Sequence, residues 1–278
     1  MKLLRRAFST GALDMAYEMH GSKTASRSIV FLHGLFGSKR TNRSVARSLA
    51  QKVDARIFCV DQRNHGDSPH SDVHTYAAMA ADTALFIKKH GLEQPLLIGH
   101  SMGAKTALAT SLLNPQLVSA VVSVDNSAVK KPLGAGFEEY IAGMQVADAA
   151  GPRSQQELRS ILEPYGETTP VTEYLSSTFA KDKDGVYRCT LNLNTLSDSL
   201  PDIAGFDDCL ENKQFIKPLL LIRATQSHFV PDSAVETTRK MFPNLQCVDI
   251  DAGHWLISEK PHEFVRICVD FVRSLKDF

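Results

Sequence analysis

Short apolar runs alternate with segments of helical periodicity along the chain. The runs are rich in β-branched and aromatic residues, which is typical of strands buried on both faces of a parallel sheet. In chain order they are SIVFLHG, RIFCVD, PLLIGHS, VSAVVSVDNS, KPLLLIRA and LQCVDIDAG. The partly alternating stretch LDMAYEMHG, which precedes them, predicts an edge strand.

Helical patterns fill the intervals between these strands. They are NRSVARSLAQKV, YAAMAADTALFIKKHG, MGAKTALATSLLN, DSAVETTRKMF and PHEFVRICVDFVRSLKDF. Crossover helices between successive strands place parallel strands side by side and cover the two faces of the sheet. The pattern therefore predicts an α/β fold with a mostly parallel central sheet and helices on both faces.

One long segment lacks a strong strand pattern. Residues 132–213 contain amphipathic helical stretches such as GFEEYIAGMQVADAA, SQQELRSILEPYG and TPVTEYLSSTFAK. A loop of this length without secondary structure is uncommon in a compact domain. We therefore expect a helical cap at 132–213, inserted into a core formed by residues 11–131 and 214–278.

Composition narrows the class of protein. The chain has 278 residues, with 31 Lys and Arg against 31 Asp and Glu, so it has no basic excess of the kind that predicts nucleic-acid binding. No apolar run approaches the roughly 18–20 residues that cross a membrane, so no membrane span is expected. The five cysteines are widely spaced without a CxxC, which favours reduced thiols over a disulfide or zinc framework.

The first ten residues, MKLLRRAFST, are basic and contain Ser and Thr but no acid. These features are typical of a mitochondrial presequence, and RAFS resembles a matrix-processing site. We expect residues 1–10 to be such a presequence. An ordinary basic N-terminus on a cytoplasmic protein is the alternative.

Ser101 lies where a predicted strand passes into a predicted helix. The pentapeptide Gly99-His100-Ser101-Met102-Gly103 matches G-x-S-x-G, a nucleophile elbow in which a tight turn exposes the serine hydroxyl at a helix N-terminus. Flanking glycines remove Cβ atoms that would collide in so sharp a turn. A turn serine without chemistry is the alternative, but PLLI before it and AKTALATSLL after it supply the required context.

A serine nucleophile needs a base, and His254 is the candidate. It follows the last predicted strand, where the order serine, acid, histidine places it. Asp125, 24 residues after Ser101 and at the end of the next strand, is the expected acid, since a carboxylate there could accept the His254 Nδ1–H. The more usual position, after the next-to-last strand, holds Ser227. The alternative acids are Asp232 and Asp251.

An oxyanion formed at Ser101 needs backbone amide donors. The expected pair is the Met102 amide and the Leu35 amide, which lies in the glycine-containing loop FLHGLFGS. His33 in this loop is expected to brace it by hydrogen bonds. The expected substrate-pocket residues are Phe36, His100, Val230 and Trp255.

No metal or cofactor is predicted. The histidines show no HExxH spacing, and the chain has no G-x-G-x-x-G or Walker-type loop. Coenzyme A would therefore enter as part of a substrate.

Several longer phrases resemble one family. FLHGLFGSKRTNRSVARSLA, DQRNHGDSPHSDVHTYAAMAAD, IGHSMGAKTAL, SVDNSAV and AGHWLISEKP are similar to the α/β-hydrolase superfamily. Within it they resemble the mitochondrial α/β-hydrolase domain-containing protein 11 family and its fungal relatives, the ethanol acetyltransferases. The resemblance implies an α/β-hydrolase fold, esterase or thioesterase activity, and an acid after the sixth strand, in agreement with Asp125. In some fungal members the acetyl group of acetyl-CoA passes to ethanol.

We therefore predict a serine hydrolase that acts on a small acyl ester or acyl-CoA through an acyl-serine intermediate. The alternative is an alcohol O-acetyltransferase that passes acetyl from acetyl-CoA to ethanol on the same triad. A third interpretation is an inactive hydrolase fold kept as a binding module, against which the presence of both Ser101 and His254 argues.

Overall fold

The computed structural model describes residues 11–134, 136–207, 210 and 212–275. Residues 1–10, for which a presequence is predicted, lie outside the described residues. None of the helices in the described part of the chain is long and apolar enough to cross a membrane.

The predicted strand runs form one large sheet. The strands of the described residues are β1 (Tyr17–His20), β2 (Arg27–Leu32), β3 (Ala55–Val60), β4 (Leu96–His100), β5 (Ala120–Val124), β6 (Phe179–Lys181), β7 (Tyr187–Cys189), β8 (Leu219–Ala224) and β9 (Leu245–Ile250). Seven of them pair in the order β1-β3-β2-β4-β5-β8-β9. The edge strand β1 is antiparallel to β3, and the other pairs in this sheet are parallel.

Helices cover both faces of this sheet. The α-helices of the described residues are α1 (Arg43–Val53), α2 (Tyr76–Lys89), α3 (Met102–Leu113), α4 (Phe137–Ala150), α5 (Gln155–Leu162), α6 (Thr169–Ser176), α7 (Leu193–Asp198), α8 (Leu200–Ala204), α9 (Asp232–Met241), α10 (Leu256–Glu259) and α11 (Pro261–Ser274). Successive residues of β2 point to opposite faces. Ile29 and Phe31 pack in a core with residues of α1 and α11, whereas Val30 and Leu32 pack with α2 and α3. The predicted α/β architecture is confirmed.

The segment between β5 and β8 contains α4 to α8 and also a pair of strands. We call residues 132–213 the cap segment. Its strands β6 and β7 are antiparallel, with Phe179 opposite Cys189, and Gly185 between them has a φ of 75°. The periodicity of this segment predicts helices alone and assigns TFAK to a helical stretch. Strands of three residues are too short to show the alternation that identifies a strand.

Two buried side chains of the core hold the end of α8. Lys105 of α3 donates from Nζ to the carbonyls of Ala204 (3.0 Å) and Gly205 (2.7 Å). Tyr76 of α2 donates to the Ile203 carbonyl at 2.7 Å. Burial lowers the pKa of Lys105 to about 7. These bonds satisfy carbonyls at a helix C-terminus, which have no partner within the helix, and they fix the cap segment to α2 and α3.

Candidate active site

Ser101 lies on the sharp turn between β4 and α3. Its φ is 54° and its ψ is −117°, a combination outside the regions that L-residues normally occupy. A Cβ on Gly99 would lie 2.1 Å from the Gly103 carbonyl oxygen, and one on Gly103 would lie 2.3 Å from the Leu32 carbonyl oxygen. Only glycine fits on either side of the serine, as the G-x-S-x-G pattern predicts.

Replacing Gly103 by alanine is expected to lower the free energy of unfolding by about 2 kcal/mol or more. Alanine is favoured over glycine within a helix by up to ~1 kcal/mol. The collision with the Leu32 carbonyl involves backbone and cannot be relieved by a side-chain rotation, so it outweighs that gain. Urea unfolding followed by circular dichroism measures the change. Gly134→Ala is the control, since a Cβ there meets nothing within 4 Å; equal stability of the two variants would contradict this explanation.

Three side chains from separate elements form a continuous hydrogen-bonded row. His254, in the loop between β9 and α10, has Nε2 2.9 Å from Ser101 Oγ and Nδ1 2.7 Å from Asp125 Oδ2. A carboxylate only accepts, so Nδ1–H donates to Asp125. When Nε2 carries no proton, it accepts from the serine O–H, which is the arrangement that activates a serine.

Asp125 is held at the end of β5 by its backbone and by its second oxygen. Its φ is 45°, its side chain is fully buried, and its Oδ1 accepts from the Ala224 amide at 3.1 Å. The other two candidate acids have different partners. Asp251 accepts from two side chains that follow β8, and Asp232 pairs with Arg223. The structure therefore brings Asp125 to the imidazole.

Three contacts hold the loop that carries His254. His100 donates from Nε2 to the His254 carbonyl at 2.8 Å. The ring of Phe229 stacks on the His254 imidazole, with centroids 4.0 Å apart and 21° between the planes. Glu259 accepts from the Gly253 amide at 2.8 Å. Backbone and ring of His254 are thus fixed independently.

The buried ring of His100 makes stability depend on pH. Burial, and then the neighbouring His254, lower the pKa of His100 to about 4, whereas a histidine in the unfolded chain has a pKa of about 6.5. The stability that comes from the neutral ring is therefore complete above pH 6.5 and is lost as the pH falls toward 4.

The free energy of unfolding of the wild-type protein should be lower at pH 5 than at pH 7.5. We expect His100→Gln to reduce this difference by about 2 kcal/mol. Urea unfolding at both pH values measures it. His262→Gln is the control, because His262 is exposed, and it should keep the wild-type difference. A wild-type difference in His100→Gln would show that this ring does not titrate as described.

The loop after β2 lies directly against the serine. A Cβ on Gly34 would lie 3.2 Å from the Ser101 Cβ and 3.2 Å from His100 Nδ1. Met102 is the first residue of α3, so its amide has no partner within the helix. Leu35 lines the same cavity as Ser101. The structure thus places both predicted oxyanion donors beside the serine.

Two buried histidines brace this loop. His33 donates from Nδ1 to the Gly34 carbonyl at 2.8 Å and accepts at Nε2 from the Gln62 amide at 3.0 Å. His65 accepts at Nε2 from the Phe36 amide at 3.2 Å. Burial lowers the pKa of both rings, which keeps each Nε2 free to accept. His33 has the bracing contacts that its position predicts.

A narrow cavity of about 40 Å³ opens at Ser101 and His254. Its wall is mainly apolar and aromatic. The other residues that line it are Gly34, Leu35, Phe36, His100, Phe137, Tyr140, Val171, Tyr174, Leu175 and Trp255. Of the predicted pocket residues, Phe36, His100 and Trp255 lie here.

Val230 is placed elsewhere, which corrects its prediction as a pocket residue. Its side chain is buried in the core and borders a different cavity, beside Arg223 and Asp232. The turn before α9 directs the preceding residue, Phe229, onto the imidazole instead.

The cap segment supplies side chains that sequence reasoning missed. Phe137 and Tyr140 come from α4, and Val171, Tyr174 and Leu175 come from α6. The signal for these helices is their apolar periodicity. Periodicity alone does not show which part of the core such a helix covers, because that depends on packing between distant segments.

The site combines a serine hydroxyl, an imidazole that contacts both this hydroxyl and a buried carboxylate, and a loop of backbone amides, which is a set suited to nucleophilic acyl chemistry. Among residues 11–134, 136–207, 210 and 212–275, no group of three His, Cys, Asp or Glu side chains is arranged to hold a metal ion. A parallel α/β sheet with a serine on this elbow defines a serine hydrolase of the α/β-hydrolase class.

Comparison with known proteins gives the family. A model of the alpha/beta hydrolase fold family matches residues 27–261, and the chain belongs to this family. It is 38% identical over 266 residues to a Saccharomyces cerevisiae protein named "probable alcohol acetyltransferase", covering 90% of this chain and 78% of that one. It is 32% identical over 278 residues to sn-1-specific diacylglycerol lipase ABHD11 of Xenopus tropicalis, covering 97% and 85%.

A solved structure agrees with this assignment. A marine microorganism esterase superposes with a TM-score of 0.86 and 27% sequence identity, over 94% of this chain and all of the esterase chain. Fold, family and enzyme class therefore agree with the resemblance seen in the sequence.

Proposed function

We propose that the protein is an acyl hydrolase in which Ser101 attacks the carbonyl of a small ester or thioester. The row of contacts from Ser101 through His254 to Asp125, 2.9 and 2.7 Å long, carries this proposal. His254 Nε2 takes the serine proton as Oγ bonds to the carbonyl carbon, and the buried carboxylate stabilises the imidazolium. The imidazolium then gives its proton to the alcohol or thiol as this group departs. The acyl group remains bonded to Ser101 Oγ.

Water completes the proposed cycle. His254 takes a proton from the water as its oxygen attacks the acyl-serine carbonyl, and returns the proton to Ser101 Oγ as the serine ester bond breaks. The Leu35 and Met102 amides are proposed to hold the oxyanion in both steps. One such donor contributes roughly 10²- to 10³-fold to the rate in a comparable site.

The cavity favours a small apolar acyl group. One water needs roughly 10–15 Å³ of cavity space, so about 40 Å³ corresponds to only a few waters. The aromatic and aliphatic wall offers no charged partner for a polar acyl chain. An acetyl group or a similarly short acyl group fits this space.

Transfer of an acetyl group to an alcohol is the second candidate. It uses the same acyl-serine, with ethanol in place of water as the molecule that His254 deprotonates. The similarity to the yeast protein named as a probable alcohol acetyltransferase favours it. The cap segment favours it too, because Phe137 and Tyr174 make the cavity wall apolar, and the alkyl group of an alcohol packs against such a wall more favourably than water does.

A product assay distinguishes the two candidates. Purified protein is incubated with acetyl-CoA, with and without ethanol, and both ethyl acetate and free acetate are measured, with Ser101→Ala as the background. Acetate alone in the presence of ethanol supports hydrolysis, and ethyl acetate that rises with ethanol supports transfer. If neither product forms, and a panel of short-chain esters also stays intact, both candidates are wrong.

We also propose that residues 132–213 act as a cap on the core of 11–131 and 214–278, since their side chains contribute to the cavity at Ser101.

The mitochondrial location predicted from residues 1–10 stays a prediction. Fluorescence microscopy of the full chain, compared with a chain that lacks these residues, tests it.

A further inference from the structure

The loop that carries the Leu35 amide has an unusual backbone. Phe36 has a φ of 65°, in the left-handed region that a bulky side chain rarely occupies. Its side chain is 3% exposed and lines the cavity. Such strain persists only where surrounding contacts over-determine the backbone, so the hydrogen bonds of this loop set the geometry beside Ser101.

The Leu35–Phe36 peptide is held at both ends. Its N–H, from Phe36, donates to His65 Nε2 at 3.2 Å. Its carbonyl, from Leu35, accepts from the Tyr174 hydroxyl at 2.8 Å. One side of the peptide is therefore anchored by the core and the other by the cap segment.

The preceding peptide, which carries the Leu35 amide, is anchored through its carbonyl. The Gly34 oxygen accepts from His33 Nδ1 at 2.8 Å and from the Gly37 amide at 2.9 Å. These donors belong to the loop itself. The two peptides meet at the Leu35 Cα, so a displacement of the Leu35–Phe36 peptide moves that atom and with it the amide nitrogen of Leu35.

Tyr174 reaches this loop from α6 of the cap segment. Its ring packs edge-on against Trp255, with centroids 4.5 Å apart and 68° between the planes, and Trp255 directly follows His254 in sequence. Burial raises the pKa of Tyr174, so its hydroxyl stays protonated and donates. One side chain of the cap segment therefore contacts both the loop beside the serine and the residue that follows the base.

We propose that Tyr174 is a positioning residue for the oxyanion hole: its hydroxyl fixes the Leu35 carbonyl and thereby the position of the Leu35 Cα and amide nitrogen. The inference rests on the proposed acyl-transfer function. Without the hydroxyl, the strained Phe36 backbone can relax, which shifts the Leu35 Cα and moves the Leu35 amide away from the reacting carbonyl. Oxyanion donors act on the tetrahedral state more than on bound substrate, so the effect falls on kcat rather than KM.

Tyr174→Phe removes only the hydroxyl, and Tyr187→Phe is its matched control. Tyr187 is also a buried tyrosine of the cap segment, on β7, but it does not line the cavity at Ser101. With p-nitrophenyl acetate, we expect Tyr174→Phe to lower kcat about 10-fold and leave KM within about twofold of wild type. Tyr187→Phe is expected to keep the wild-type kcat.

Phosphonylation of Ser101 by a fluorophosphonate gives a second readout that needs no natural substrate. Ser101 Oγ bonds to phosphorus, fluoride leaves, and the serine proton passes to His254, while the phosphoryl oxygen occupies the oxyanion hole. We expect the rate of this reaction to fall in Tyr174→Phe by a factor similar to that in kcat.

Equal kcat values and equal phosphonylation rates in wild type and Tyr174→Phe would overturn this inference and leave the proposed function intact. A change confined to KM in Tyr174→Phe would also overturn it, because a residue that only forms the pocket wall acts in that way. Absence of phosphonylation in folded wild-type protein would overturn the proposed function and this inference together.

Discussion

Ser101→Ala is expected to lower kcat for p-nitrophenyl acetate by about 10⁵-fold or more, as loss of the nucleophile does in other serine hydrolases. The variant keeps the cavity and the amides, but no oxygen remains to bond to the carbonyl carbon. Initial rates measure the loss. Mass spectrometry of the intact protein after fluorophosphonate treatment should show one adduct on wild type and none on the variant.

Ser160→Ala, at an exposed position of α5, is the matched control and should react and turn over as wild type does. Circular dichroism checks that both variants are folded. Wild-type turnover by Ser101→Ala, or an adduct on it, would place the nucleophile at another residue.

Asp125→Asn is expected to lower kcat by about 10³- to 10⁴-fold, with KM close to that of wild type. An asparagine can turn its amide N–H toward His254 Nδ1, which favours the imidazole tautomer that carries its proton on Nε2. That tautomer has no lone pair facing Ser101 and cannot take the serine proton. Steady-state kinetics with the same ester measure the effect.

Asp251→Asn and Asp232→Asn are the controls, because their carboxylates bind partners other than His254. Each is expected to keep kcat within about threefold of wild type. A large loss in either control, together with a small loss in Asp125→Asn, would reassign the acid.

The strands of the large sheet could be predicted because burial on both faces leaves a continuous apolar run. PLLIGHS is such a run, and β4 lies within it. The hairpin of β6 and β7 could not be predicted in this way. It is short, and its pairing depends on the cap segment as a whole rather than on a pattern along either strand.

The row of polar side chains could be predicted for a related reason. Ser101 is identified by glycines that the turn requires, and Asp125 by its place at the end of a strand. Carboxyl ends of parallel strands meet at one edge of a sheet, so strand position alone brings these two together. Tyr174 and Phe229 lack such a marker. Their contacts depend on how a helix or loop packs against distant residues, as the misplacement of Val230 also shows.

In the parallel pair of β4 and β5, His100 lies opposite Val124. Ser101 directly follows the first of these two paired residues, and Asp125 directly follows the second. Backbone bonds between two neighbouring strands therefore fix the spacing of hydroxyl and carboxylate. The imidazole comes from 129 residues beyond Asp125. During synthesis on the ribosome, Ser101 therefore emerges well before His254, the base that would take its proton. We expect no ester hydrolysis by the growing chain until the C-terminal part of the sheet has folded.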